Sequence, residues 1–142
     1  MEALYFKATK STPQVSLDKA SGLCVVEGRS IPIDAESFYL PILKWVDQLG
    51  QASPSTIEFQ FKLEFFNIAS SKRILSILHK LSELQKLGFR IRVKWMYEKF
   101  DEDMLEIGKD YALMLSDVFF TFHEFEKNNN GRSANKQFVN RH

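Results

Sequence analysis

The sequence predicts an α/β fold, a single domain with a mixed sheet and helices mainly on one face. Three observations predict it. From Thr56 onward the hydrophobic pattern runs strand, helix, strand, helix, strand, and such crossovers join parallel strands. Two of those strands alternate apolar and polar residues cleanly, whereas strands covered on both faces read as continuous apolar runs. The length, 142 residues, fits one domain, expected over residues 1–127 with a disordered polar tail over 128–142.

The elements follow in order. Ala3–Lys7 reads as a first short strand, followed by a Ser-Thr-Pro break. Gly22–Glu27 reads as a second strand, and Arg29–Ile33 as a third after a turn at Gly28. A helix spans about Ala35 to Leu49, with Phe38, Ile42, Trp45, Val46 and Leu49 at helical spacing. Pro41 lies inside it, and its missing N–H predicts a kink or a later start.

Thr56–Phe66 is the clearest strand. Ile57, Phe59, Phe61, Leu63 and Phe65 are expected on the buried side, and Glu58, Gln60, Lys62 and Glu64 on the other. The second long helix runs from about Ser70 to Leu87, with an apolar stripe of Ile74, Ile77, Leu78, Leu81 and Leu84. Gly88 stands where a C-terminal cap belongs. Phe89–Tyr97 repeats the alternation. A third helix opens near Asp101, carries Met104, Ile107, Tyr111 and Leu115, and is followed by a last strand over Phe119–Glu126. The polar face of the sheet would then show Glu58, Lys62, Glu64, Arg90, Arg92 and Lys94. That face is either solvated with cross-strand ion pairs or a surface for a partner.

Composition narrows the function. The chain is 44% hydrophobic and 26% charged, enough apolar material for a core. Its formal net charge of +1 offers no global attraction for nucleic acid or an anionic membrane, and neither partner is expected. The 13 phenylalanines read first as core. The single cysteine, Cys24, excludes an intramolecular disulfide and sits in an apolar run, where an inert buried thiol is expected. No apolar run reaches transmembrane length and no signal peptide is seen, so a cytoplasmic setting is expected.

Catalytic and metal chemistry find little support. His79, His123 and His142 do not pair at metal-ligand spacing, no glycine-rich phosphate loop exists, and no G-x-S-x-G elbow appears. The acidic group Asp101, Glu102, Asp103, Glu106 and Asp110 does not match a calcium loop. Its first three members suit a helix start, where the dipole favours negative charge. No metal, no cofactor and no catalytic residue is therefore expected.

One junction remains, Phe66-Asn67-Ile68-Ala69-Ser70-Ser71-Lys72, where a strand passes into a helix. A serine there is first an N-cap. The same place suits a phosphate, which would meet unpaired N–H groups and the positive helix end, with Lys72 and Arg73 near. A phosphoryl group adds about −1.5 to −2 of charge, enough to repel a partner pressed against it.

The same segments resemble the SiaC family of regulatory phosphoproteins, over about residues 8 to 126. The matching pieces are Ser11-Thr12-Pro13, Glu27-Gly28-Arg29-Ser30-Ile31-Pro32 and Phe38-Tyr39-Leu40-Pro41-Ile42-Leu43-Lys44-Trp45. Further along come Phe61-Lys62-Leu63-Glu64-Phe65-Phe66-Asn67 leading into Ser70-Ser71-Lys72, and Trp95-Met96-Tyr97 before Asp101 to Gly108. The resemblance implies a STAS-like fold and a non-enzymatic signalling adaptor. It implies a Ser/Thr kinase and a PP2C-like phosphatase as partners. It also implies an unphosphorylated form that binds and activates a diguanylate cyclase, raising cyclic di-GMP and favouring biofilm.

Two departures stand out. Where the family usually has Thr-Ser-Ser after the Asn, with Thr as acceptor, this chain has Ile68 and Ala69, which carry no hydroxyl. Lys109 also stands where the family often has an acidic residue. Either the acceptor has moved to Ser70 or Ser71, with Ser70 the nearer, or the chain is a constitutive variant. Asn67, Ile68, Lys72 and Arg73 are the expected partner-binding residues. The rival reading is a constitutive STAS-like binding protein of an anti-sigma-type pathway.

Overall fold

A computed structural model describes residues 1–127; the expected tail over 128–142 lies outside the described residues. Six strands form one sheet in sequential order: β1 (Leu4–Phe6), β2 (Gln14–Asp18), β3 (Leu23–Ser30), β4 (Thr56–Phe66), β5 (Arg90–Glu98) and β6 (Phe119–Phe125). The first three pair antiparallel and β3 to β6 pair parallel, so the sheet is mixed as expected. Helices α1 (Ala35–Leu49), α2 (Ile68–Lys86) and α3 (Glu102–Met114) make the three parallel crossovers. Crossovers are right-handed, and here each steps the same way along the sheet. All three helices therefore fall on one face, and the other face stays open.

The core lies between the helices and that one face. Val15, Leu17, Cys24, Val26, Phe59 and Phe61 from the strands are fully buried there. So are Tyr39, Ile42, Leu49, Ile74, Ile77, Leu78 and Leu81 from the helices. Burial pushes the Cys24 thiol up to about 12, which keeps it protonated and inert.

Several elements differ from expectation. Strand β2 was not anticipated; its short run Gln14–Asp18 follows a loop held by Thr9, whose hydroxyl accepts from the Ser11 and Thr12 N–H groups. The two strands expected on either side of Gly28 are one strand, which meets a bulge in its partner β4 at that point and makes no turn. There β4 carries one extra residue, and the register jumps from Gly28 opposite Leu63 to Arg29 opposite Phe65. A bulge shifts side chains to the other face. Phe65, expected in the core row, is therefore 49% exposed under the Arg29 guanidinium, while Phe66 turns inward against the core. The bulge thus sets the exit of β4 into α2.

Helix α1 passes through Pro41 without interruption and starts at Ala35, capped by the Asp34 carboxylate on the Ser37 N–H at 3.1 Å. The hydrogen bond lost at the ring is outweighed by the buried stripe on both sides of it. At the end of α2 the Phe89 and Gly88 N–H groups bond the carbonyls of Leu84 and Gln85, with Gly88 at φ 104°. That pairing is a Schellman cap, so Gly88 has the role its position implied. Helix α3 starts at its Asp101 cap, with Glu102 and Asp103 in the first turn.

Candidate functional site

The junction singled out in the sequence lies at the carboxyl end of β4, where open parallel sheets place their ligands. The cap of α2 is Asn67, not a serine: its side-chain oxygen accepts from the Ser70 N–H at 2.9 Å. Ile68 is then the first helical residue, and Ser70 the third. This placement decides which hydroxyl faces outward.

Ser70 faces inward and is fully buried. Its hydroxyl donates to the Ser30 carbonyl at 3.0 Å and lies 2.8 Å from the Ser30 hydroxyl. The Ser30 hydroxyl is in turn 2.7 Å from the Tyr39 hydroxyl. Three elements, β3, α1 and α2, are thus tied by a closed chain of hydroxyls. Burial pushes Tyr39 up to about 12, so it remains a neutral donor. The expectation that Ser70, as the nearer hydroxyl, accepts phosphate does not fit this geometry, because the cap at Asn67 rotates it under the helix.

Ser71 is half-buried and lines a surface cleft. Its hydroxyl donates to the Ile68 carbonyl at 2.7 Å, on the solvent side of the first turn. Ile68 itself is 76% exposed. A large apolar side chain at that exposure, on the first turn of a capped helix, does nothing for the core.

The cleft runs between the start of α2 and the end of α3 and holds about 310 Å³. Asn67, Ile68 and Ser71 form one wall, and Ile107, Tyr111 and Met114 the other. Phe66 and Asp110 complete the lining, which is mostly apolar. Met114 is 61% exposed and extends the apolar rim on the α3 side.

The cleft walls are fixed from below. The Tyr111 hydroxyl donates to the Ser71 carbonyl at 3.1 Å, which locks α3 to the first turn of α2. Burial pushes Tyr111 up to about 12 and keeps that donor protonated. Trp95 stacks edge-on against Tyr111 at 5.6 Å and donates its ring N–H to the Met104 carbonyl at 2.9 Å. Gly108 lets the indole in: a Cβ there would lie 2.4 Å from it.

Of the residues expected at the site, Asn67, Ile68 and Ser71 meet in the cleft. Lys72 is exposed on the next turn and Arg73 is half-buried, and neither is in the cleft lining. Phe66, which opens the same junction, lines the cleft too, whereas Ile107, Asp110, Tyr111 and Met114 were not expected there. The readable signal was on α3, whose apolar set extends past the stripe into Leu113 and Met114, both exposed. Among the described residues no group of three or more His, Cys, Asp or Glu is placed to hold a metal, and no helix is long and apolar enough to cross a membrane.

Fold and site together define a one-sided α/β domain with an apolar surface cleft at a helix start. Residues 6–125 match the SiaC family of regulatory phosphoproteins, and the chain belongs to that family. An uncharacterized protein of Pseudomonas aeruginosa strain UCBPP-PA14 is 24% identical over 111 residues, which are 78% of this chain and 88% of that one. The crystal structure of apo-SiaC from P. aeruginosa matches with a TM-score of 0.79 at 23% identity, covering 86% of this chain and 98% of that one. A chain from the crystal structure of the diguanylate cyclase SiaD in complex with its activator SiaC, also from P. aeruginosa, matches with a TM-score of 0.80 at 23% identity. That match covers 85% of this chain and 98% of the other. At that identity the likeness carries the fold, including the mixed sheet with its helices on one face.

Proposed function

We propose that this chain is a non-enzymatic signalling adaptor that docks a partner protein over the cleft between α2 and α3. The observation that carries this reading is Ile68, 76% exposed at the lip of an apolar cleft. Burying such a side chain in a partner contributes about 1.5–3 kcal/mol. The SiaC match to a complex with a diguanylate cyclase supports a cyclase as that partner, with control of cyclic di-GMP in the cytoplasm as the outcome.

Regulation by a Ser/Thr kinase and a PP2C-like phosphatase is part of the same reading. Ser71 is the acceptor the geometry favours, because Ser70 is sealed and Ile68 has no hydroxyl. A phosphate on Ser71 would stand in the cleft wall itself. It would also place charge beside Asp110, so an apolar partner face would meet an uncompensated anion there. Affinity purification of the full chain from its host, followed by incubation with a Ser/Thr kinase from the same host and peptide mass spectrometry, tests both halves. Recovery of a cyclase, and its release when Ser71 becomes phosphorylated, is the expected result. Recovery of the cyclase with no modification keeps the adaptor and removes the switch.

The second reading, a constitutive partner-binding protein of an anti-sigma-type pathway, draws on one observation: Ile68 and Ala69 offer no hydroxyl at the usual acceptor position. Capture of an anti-sigma kinase in place of a cyclase is the result that favours it.

A further inference from the structure

Each parallel crossover leaves the sheet at its carboxyl end, and each shows one apolar side chain to water there. Ile33 in the β3–α1 loop is fully exposed, Ile68 at the start of α2 is 76% exposed, and Phe100 between β5 and α3 is 85% exposed.

Phe100 departs furthest from what its position asks. The Asp101 N–H bonds the Glu98 carbonyl at 2.9 Å, so Glu98–Asp101 is a β-turn with Phe100 in its third place. Its φ is 74°, in the left-handed region, and among the described residues no other non-glycine lies there. Gly or Asn suits such a position, because a bulky side chain is crowded at positive φ. The fold makes little use of the ring. The Lys99 ammonium stands 5.2 Å from its centre, and that ammonium is already held by Glu126 at 3.0 Å. A strained backbone and an exposed ring thus coincide at one residue, and strain of this kind collects at functional sites.

The sheet register brings this turn beside the cleft. Lys62 of β4 lies opposite Met96 of β5. Phe66 and Phe100 each lie four residues beyond that pair, and Phe66 lines the cleft. Asp101 then caps α3, which supplies the far wall through Ile107, Tyr111 and Met114. Adjacent strands are about 5 Å apart, and a standard docking footprint covers about 800 Å² on each partner. One partner therefore reaches both the cleft and the turn. Glu102 and Asp103 are exposed immediately after Phe100, so the surface beside the ring is acidic.

We propose that Phe100 is a second anchor for the protein that docks over the cleft, received by an apolar pocket of that partner with basic residues beside it. This rests on the adaptor reading above and extends its footprint from α2 and α3 to the turn between β5 and α3.

The test is calorimetry of the full chain against its host's diguanylate cyclase, with a thermal melt of each variant. Phe100→Asn is expected to bind about tenfold more weakly. Its Tm is expected to stay level or rise, because Asn accepts positive φ and the ring is not packed. Glu102→Gln combined with Asp103→Asn is expected to weaken binding about threefold and to flatten its salt dependence. Phe100→Asn binding as tightly as the parent, while Ile68→Asp binds more weakly, overturns the second anchor and leaves the cleft. A Tm lowered by Phe100→Asn makes the ring part of the fold and overturns it too. An acidic-turn variant with unchanged affinity and salt dependence overturns the basic pocket. A parent chain that does not bind the cyclase removes the adaptor reading and this extension together.

Discussion

Ser70 and Ser71 are adjacent in sequence and opposite in consequence. Ser70 closes a buried hydroxyl chain with Ser30 and Tyr39, whereas Ser71 faces the cleft. Ser70→Asp puts a carboxylate into that fully buried chain of hydroxyls, and a loss of about 3 kcal/mol or more is expected. Ser71→Asp is expected to change stability by only about 0.5 kcal/mol. Urea unfolding of the two variants separates them, and equal losses would contradict the placement of Ser70. Asn67→Ala removes the cap on Ser70 and is expected to cost about 1 kcal/mol by the same measurement. The sequence brought attention to this junction through its hydroxyls and its strand-to-helix change. It did not reveal which serine turns inward, because both Asn and Ser are good caps. Choosing Asn67 over Ser70 moves the helix start, and so rotates every side chain of the first turn.

At the scale of elements, α3 is held by one close approach. Gly108 sits against the Trp95 indole, and a methyl group there would overlap it. Gly108→Ala is expected to destabilise by about 1–3 kcal/mol, read as a lowered Tm, and to loosen the α3 wall of the cleft. The long elements were legible because their periods were unbroken: β4, β5 and the stripe of α2 carry one repeat each. The edges of the sheet were not. Strand β2 has only five residues, and its partner loop reads as a break. The bulge opposite Gly28 was hidden because the alternation of β4 reads smoothly through Phe65, while only strand pairing shows the extra residue. Pro41 shows the converse, a local signal overruled by the buried stripe around it.

For the whole molecule, one core under one face leaves two surfaces of different character, an apolar cleft at the carboxyl end and a polar groove on the open side. The first was half legible: Asn67, Ile68 and Ser71 came from one continuous segment, but Ile107, Tyr111 and Met114 come from a helix some forty residues away and only the crossover brings them near. The core also sets a pH response. Cys24, Tyr39 and Tyr111 are all held above their ordinary values, each mainly by burial, to about 12. The folded state thus keeps protons the unfolded chain has lost. Stability is full below the unfolded values near 9 and 10 and falls as pH rises towards 12. Lys62, held below its ordinary range by burial, opposes part of that fall. Urea midpoints across this range are expected to drop, and a flat profile would contradict the burial of these groups.

The adaptor reading rests on Ile68 as the exposed anchor of the cleft, and calorimetry of the full chain against its host's diguanylate cyclase, comparing the parent with Ile68→Asp, tests that most directly. An anchor of this kind predicts a loss in affinity of about 30-fold or more with the fold intact; affinity unchanged by Ile68→Asp would place the partner's docking surface elsewhere on the molecule.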